Sequence, residues 1–236
     1  MPRTLRVMLT VLIVLSAAGT GCSTGKAAAP KAAATSAFEA KVAEADDTMA
    51  NGDAMKAFEL YTEALKLPDA ADADGSVAER QNVAKHTYLA RAALAKSTSE
   101  FDPEPFITII ADHSAAVTET AEAKRLLVEF FFKTQSGAVR RDVKEVQTLI
   151  RDDESFESPH SAYMVEHMAV EWTKDFSRLP GDFGKQANEA LTLLVKAGTE
   201  ANAVMKEKWA EDCLARLDAA TDALDKLDGK LAAMQP

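Results

Sequence analysis

Cysteine, glycine, proline and positive charge are all in short supply in this chain, and each shortage excludes something. Among its 236 residues are two cysteines, Cys22 and Cys213, too few for a disulfide framework. Neither stands in a CxxCH haem site or a Cys/His zinc spacing. With 10 glycines and 8 prolines against abundant alanine, the composition favours helix over turn-rich architectures. No GxSxG, HExxH, P-loop or Rossmann fingerprint occurs, and no local Ser/His arrangement marks nucleophilic catalysis. Triads assembled from distant segments remain open. The 27 basic residues are outnumbered by 37 acidic ones, for a net charge of −10. Such a surface repels phosphate backbones, and no basic patch interleaved with aromatics appears, so nucleic acid is not an expected partner. Apolar content is ordinary at 47%, which argues for a folded main body.

The first residues, MPRTLRVMLTVLIVLSAAGTGCS, carry an address. Arg3 and Arg6 form a basic n-region, Val7 to Leu15 an apolar h-region, and small residues lead to Cys22. The apolar run to Ala18 is short of the roughly 20 residues that span a bilayer, so it reads as a secretory h-region. Cysteine at the end of the small-residue stretch resembles the lipobox of bacterial lipoproteins, with Gly19 where that motif usually has an aliphatic residue. The resemblance implies cleavage before Cys22 and lipidation of its sulfur. The competing layout is ordinary cleavage after Ser16-Ala17-Ala18, leaving Cys22 as a thiol near the new terminus. By resemblance to Gram-negative lipoproteins, the non-acidic Ser23 points to the outer membrane. Loss of Arg3 and Arg6 with the signal leaves 25 basic against 37 acidic side chains, a net of −12. Acidity of that size weakens spread contact with anionic lipid, so attachment would rest on the lipid anchor.

Residues 23–36, STGKAAAPKAAATS, contain no large apolar group and read as a flexible tether with a reach of roughly 20 Å. The expected organisation is therefore a signal peptide over 1–21, lipidated Cys22 and tether over 22–36, and a helical domain over 37–236. Within that domain Phe38, Val42, Ala45 and Met49 recur at helical spacing. Asn51-Gly52-Asp53 breaks the helix, with Asp53 as N-cap of the next. Ala54, Ala57, Phe58, Tyr61 and Leu65 line the second helix, which Pro68 stops. Further helices are expected over 77–96, 103–110, 120–133, 139–150, 158–176, 183–197 and 200–234. Gly137 separates two of them, and Phe130-Phe131-Phe132 mark the most buried one. The chain reads as all-α.

Residues 45–68, ADDTMANGDAMKAFELYTEALKLP, resemble a tetratricopeptide repeat. Ala45 takes the small position of its first helix, Gly52-Asp53 the turn, and Ala57 and Ala64 the small positions of the second. Phe58, Tyr61 and Leu65 are the packing residues. The match covers about 30 residues, whereas a repeat array needs at least about three copies. Gly181-Asp182-Phe183 resembles the turn again, with its downstream alanines out of register. The resemblance implies antiparallel helical hairpins in a tetratricopeptide-like or degenerate α-solenoid array. A long C-terminal helix closes it. There Ala210, Cys213, Leu217, Ala220, Leu224, Leu227 and Leu231 form an a/d seam. That seam is expected to pack on preceding helices as a cap rather than to dimerise, which makes the chain a monomer. Cys213 on the seam would be a buried thiol.

Three further patterns bear on chemistry. Aligning Asp72, Asp74 and Gly75 to an EF-hand loop puts Ala70 at its first position and Gln81 at its twelfth, where oxygen donors are required. His160, Tyr163 and His167 share a helix face with Glu166 beside them, but two turns place the histidines about 10.5 Å apart along the axis. Glu166, Glu171 and Asp175 read as a solvated face rather than a catalytic carboxylate set. No catalytic residue, metal or cofactor is expected. The tetratricopeptide resemblance implies a protein–protein interaction scaffold in the cell envelope, facing the periplasm, with partner contacts on the inner face of the 38–68 helix pair. The alternative is a helical envelope enzyme or small-ligand carrier with a site between helices.

Overall fold

The computed structural model describes residues 36–72, 75–96, 102–151, 160–206 and 212–234. Cys22, its leader and nearly all of the tether lie outside the described residues, as do Asp74 and Ala210. The elements are α1 (Ala37–Ala50), α2 (Ala54–Ala64), a 3-10 turn (Pro68–Asp72), α3 (Ser76–Lys96), α4 (Glu104–Asp112), α5 (Val117–Leu126), a π-helical segment (Leu127–Phe132), α6 (Lys133–Arg151), α7 (His160–Phe176), α8 (Gly181–Lys206) and α9 (Cys213–Ala233). Among the described residues there is no strand, and no helix is long and apolar enough to cross a membrane.

Local chemistry sets the first helices. Ser36 and Glu39 make a reciprocal capping box, Ser36 Oγ accepting from Glu39 N–H at 3.2 Å while the Glu39 carboxylate accepts from Ser36 N–H at 3.0 Å. Gly52, with φ +90°, turns the chain in a conformation that favours glycine. Asp53 then caps α2 through Lys56 N–H at 3.0 Å, as its position predicts. The short turn makes α1 and α2 antiparallel, and α2 packs in turn on α3. Their shared core is small: Ala45, Ala57, Leu60, Tyr61, Val77 and Ala84, ringed by Phe38, Val42, Met49, Phe58 and Leu65.

A second, larger core lies among α4–α9. At its centre Phe131 meets Trp172 edge-on at 4.9 Å, and Phe132 meets Phe176 edge-on at 5.4 Å. As expected from the three adjacent aromatics, Phe131 and Phe132 are buried; Phe130 stays half-buried against Phe106. Helix α9 lies along α8 and touches α6. Its seam residues Cys213, Leu217, Ala220, Leu224, Leu227 and Leu231 are all buried within the one chain. Helix α3 belongs to both cores, with Val77 and Ala84 in the small one and Ala90 in the large one.

Three expected boundaries are corrected. Gly137 does not separate two helices: α5, the π-helical segment and α6 run continuously from Val117 to Arg151. A mid-helix glycine costs only about 1 kcal/mol relative to alanine, which burial of Ala138 and Val139 beside it outweighs. The break expected near residues 198–199 is also missing, since α8 continues to Lys206. Gly198 marks a close helix crossing there: a Cβ on it would stand 2.8 Å from Val165 Cγ1 on α7. The last helix consequently starts at Cys213 rather than near Glu200.

Candidate functional site

The residues singled out in the sequence do not converge on one centre. Tyr163 and His167 stack at 5.7 Å on an exposed face of α7. The side chain of His160 lies outside the described residues. Glu166 departs from the expected solvated face, because it accepts a hydrogen bond from the buried amide of Asn202 on α8. Glu171 is exposed and Asp175 half-buried. Among the described residues, no group of three or more His, Cys, Asp and Glu side chains is placed to hold a metal ion.

Tertiary packing nevertheless builds features that no local motif announces. Glu171 and Asp175 on α7 meet Asp102 and Glu104 at the start of α4, around an open cleft of about 360 Å³ floored by Trp172. Burial pushes the Asp175 carboxyl above its ordinary range; Arg178 pulls it back, and Glu104 and Glu171 push it up. Arg178 braces the same region, donating to Asp112 Oδ2 at 2.7 Å and to Glu104 Oε1 at 3.3 Å. A second open cleft, about 460 Å³, is largely apolar, with Ile110, Val117, Phe183 and Met234 in its walls. Val117 is 76% exposed there, and Lys124 Nζ sits 5.3 Å over the Phe183 ring.

The junction between the two cores is the third feature. Arg91 on α3 donates to Gly52 O in the α1–α2 turn at 2.7 Å and to Glu119 Oε1 on α5, also at 2.7 Å. Five residues earlier on α3, His86 Nδ1 lies 3.0 Å from Nδ1 of His113, the residue that ends α4. These partners are 27 and 28 residues apart in the chain, so helical periodicity could not find them. No family model, curated protein or solved structure matches this chain.

Proposed function

We propose that this protein is a lipid-anchored lipoprotein of the bacterial cell envelope whose monomeric helical body is a docking scaffold for other proteins. The observation that carries the reading is Cys22 at the end of a leader with basic, apolar and small-residue regions. In the body, the tetratricopeptide-like reading is supported by Ala45, Ala57 and Ala64, each with no exposed surface where α1–α3 pack together. On this reading α1–α2 is one repeat-like hairpin, α3 opens the next, and α9 caps the array. The two clefts open to solvent also suit docking better than enclosed catalysis.

Replacing Cys22 with Ser tests the anchor. Wild-type protein should take up labelled fatty acid and fractionate with membranes, and Cys22→Ser should lose the label and turn soluble. Identical soluble behaviour of both proteins would remove the anchor from the reading. Photo-crosslinkers at the exposed Met55 and Tyr88 should then trap protein partners in intact cells.

One observation favours a second reading, a carrier of a small apolar ligand. The Val117–Phe183 cleft has the volume of ordinary ligand sites, and Lys124 beside it could meet an anionic end group. Displacement of a fluorescent fatty acid by lipid extracts, weakened by Phe183→Ala, would support it over the scaffold.

A further inference from the structure

Two strong metal-ligating atoms face each other at the junction of the cores. His113 is held by its backbone: its N–H donates to Ile109 O at 3.1 Å, and its carbonyl accepts from Ala116 N–H at 2.9 Å and from Thr120 Oγ1 at 3.3 Å. His86 is carried by the middle of α3, between Ala84 in the small core and Ala90 in the large one. The rings are tilted by 56° with centroids 5.2 Å apart, and the facing atoms are both Nδ1. With no ion, one Nδ1 must be protonated and donate to the other.

The same separation suits a pair of adjacent ligands. With metal–imidazole bonds of about 2.0–2.1 Å, two nitrogens at right angles about the ion stand about 2.9 Å apart, and two at the tetrahedral angle about 3.3 Å apart. The observed 3.0 Å lies between these two values. Tetragonal nitrogen and oxygen coordination is the preference of copper(II) and nickel(II), and copper(II) binds a given site of this kind more tightly. We propose that His86 and His113 form a two-histidine site for a divalent copper ion, with water in its remaining positions. Both side chains are half-buried, which leaves room for that water.

Metal binding needs both Nδ1 atoms free of protons, so the ring that donates in the ion-free pair carries its proton on Nε2 instead. The Asp112 carboxylate is turned to Arg178 at 2.7 Å, so water rather than that carboxylate completes the shell. Lys85, the residue before His86, adds a like charge near the ion. The ion would fasten α3 to the end of α4. Such a site would need neither the anchor nor the scaffold role.

Titration of the purified full chain with copper(II) alone, against glycine as competitor, tests it. One ion should bind per chain, with a tetragonal electron paramagnetic resonance spectrum. Pulsed measurements should detect the remote nitrogens of two equatorial imidazoles. His86→Ala and His113→Ala should each weaken binding by at least about tenfold, given that even outer-shell partners are worth that much. A His160→Ala/His167→Ala double variant should bind like wild type. Wild-type affinity in either junction variant, loss of binding in the double variant, or no binding by wild type would each overturn the site. The pulsed spectrum of wild-type protein decides even where a variant misfolds, because fewer than two imidazoles refutes the assignment.

Discussion

In α1–α3 the helices meet across alanines: Ala45, Ala57 and Ala84 have no exposed surface, and Tyr61 is the one large aromatic buried among them. In α4–α9 the centre is filled by Trp172, Phe131, Phe132 and Phe176, with Ile107, Ile109 and Ile110 close by. Each aromatic of that kind removes about 150–250 Å² from water, and at about 25 cal/mol per Å² a handful of them outweighs the whole small core. Close packing through alanine gives backbones a short approach but little apolar area. Orientation in α1–α3 therefore leans on polar ties. Tyr61 Oη donates to Asp46 Oδ1 at 2.5 Å, Arg80 donates to Asp46 Oδ2 at 2.7 Å, and Gln81 donates to Thr62 Oγ1 at 2.8 Å. Burial and the Asp46 charge push the Tyr61 phenol far up, so it stays a donor at any physiological pH. The contrast suggests a division of labour, with stability residing in the large core and a small, polar-registered unit riding on it through α3.

The largest expected effect tests the large core through its capping seam. Leu224 is fully buried where α9 packs on its neighbours. Leu224→Ala should cost about 2–5 kcal/mol, read by denaturant unfolding, and the loss should not vary with protein concentration. As a dimer seam, the same residue would instead make stability rise with concentration by mass action. Sedimentation of the unlipidated protein separates the two, and a dimer dissociated by Leu224→Ala would break the division drawn above. A cost well below the range would mean that the large core collapses into the gap.

The middle effect belongs to the small core. Ala57 has no exposed surface, and its neighbours Ala45 and Ala84 leave no slack for a larger side chain. Ala57→Leu should overpack α1–α3 by about 1–3 kcal/mol. Hydrogen exchange should show the loss concentrated in α1–α3, with protection in α6–α9 retained. Uniform loss across the chain would merge the two regions into one cooperative unit. Full tolerance of leucine would mean that the crossing is not set by small residues.

What was legible in the sequence follows the same line. Ala45, Ala57 and Ala64 are buried, and they stand out through the resemblance of 45–68 to a repeat hairpin, which implies small residues at those positions. The α9 seam could be placed because its 3-4 spacing is local. The long helix from Val117 to Arg151 could not, because the packing that carries it past Gly137 comes from other helices. The continuity of α8 past residues 198–199 was hidden for the same reason: Gly198 serves an approach to Val165, 33 positions earlier. The histidine pair left no local signal, and of the Asp102–Asp175 cleft only Glu171 and Asp175 stood out, as part of a solvated helix face. Their members are ordinary surface types until the fold sets them side by side.

The smallest effect asks whether a polar contact also sets helix position inside the large core. Asp142 on α6 is only 8% exposed, and its Oδ2 accepts from Ala162 N–H at 2.8 Å, in the first turn of α7. A carboxylate there satisfies an otherwise orphaned donor and meets the positive end of the helix dipole. Burial acts against it and pushes the carboxyl above the ordinary aspartate range; the Ala162 and Ser161 N–H groups pull it down, and Glu145 adds a further upward push. Asp142→Ala should cost about 0.5–2 kcal/mol, the usual loss for a helix cap. Asp142→Asn keeps an acceptor oxygen but cannot ionise, so it isolates the charge. With its folded pKa raised, Asp142 holds a proton to higher pH in the folded chain than in the unfolded one. Its titration therefore favours the fold below the unfolded value of about 3.9, and that advantage is lost as pH rises through the folded value. Wild type should lose ground to Asp142→Asn in thermal melts taken upward from about pH 3.5 to pH 7. The reverse trend would show that the start of α7 stabilises the ionised form more than burial penalises it. Asp142 would then act as a charged fastening between α6 and α7, and the reliance on polar ties would extend into the aromatic core.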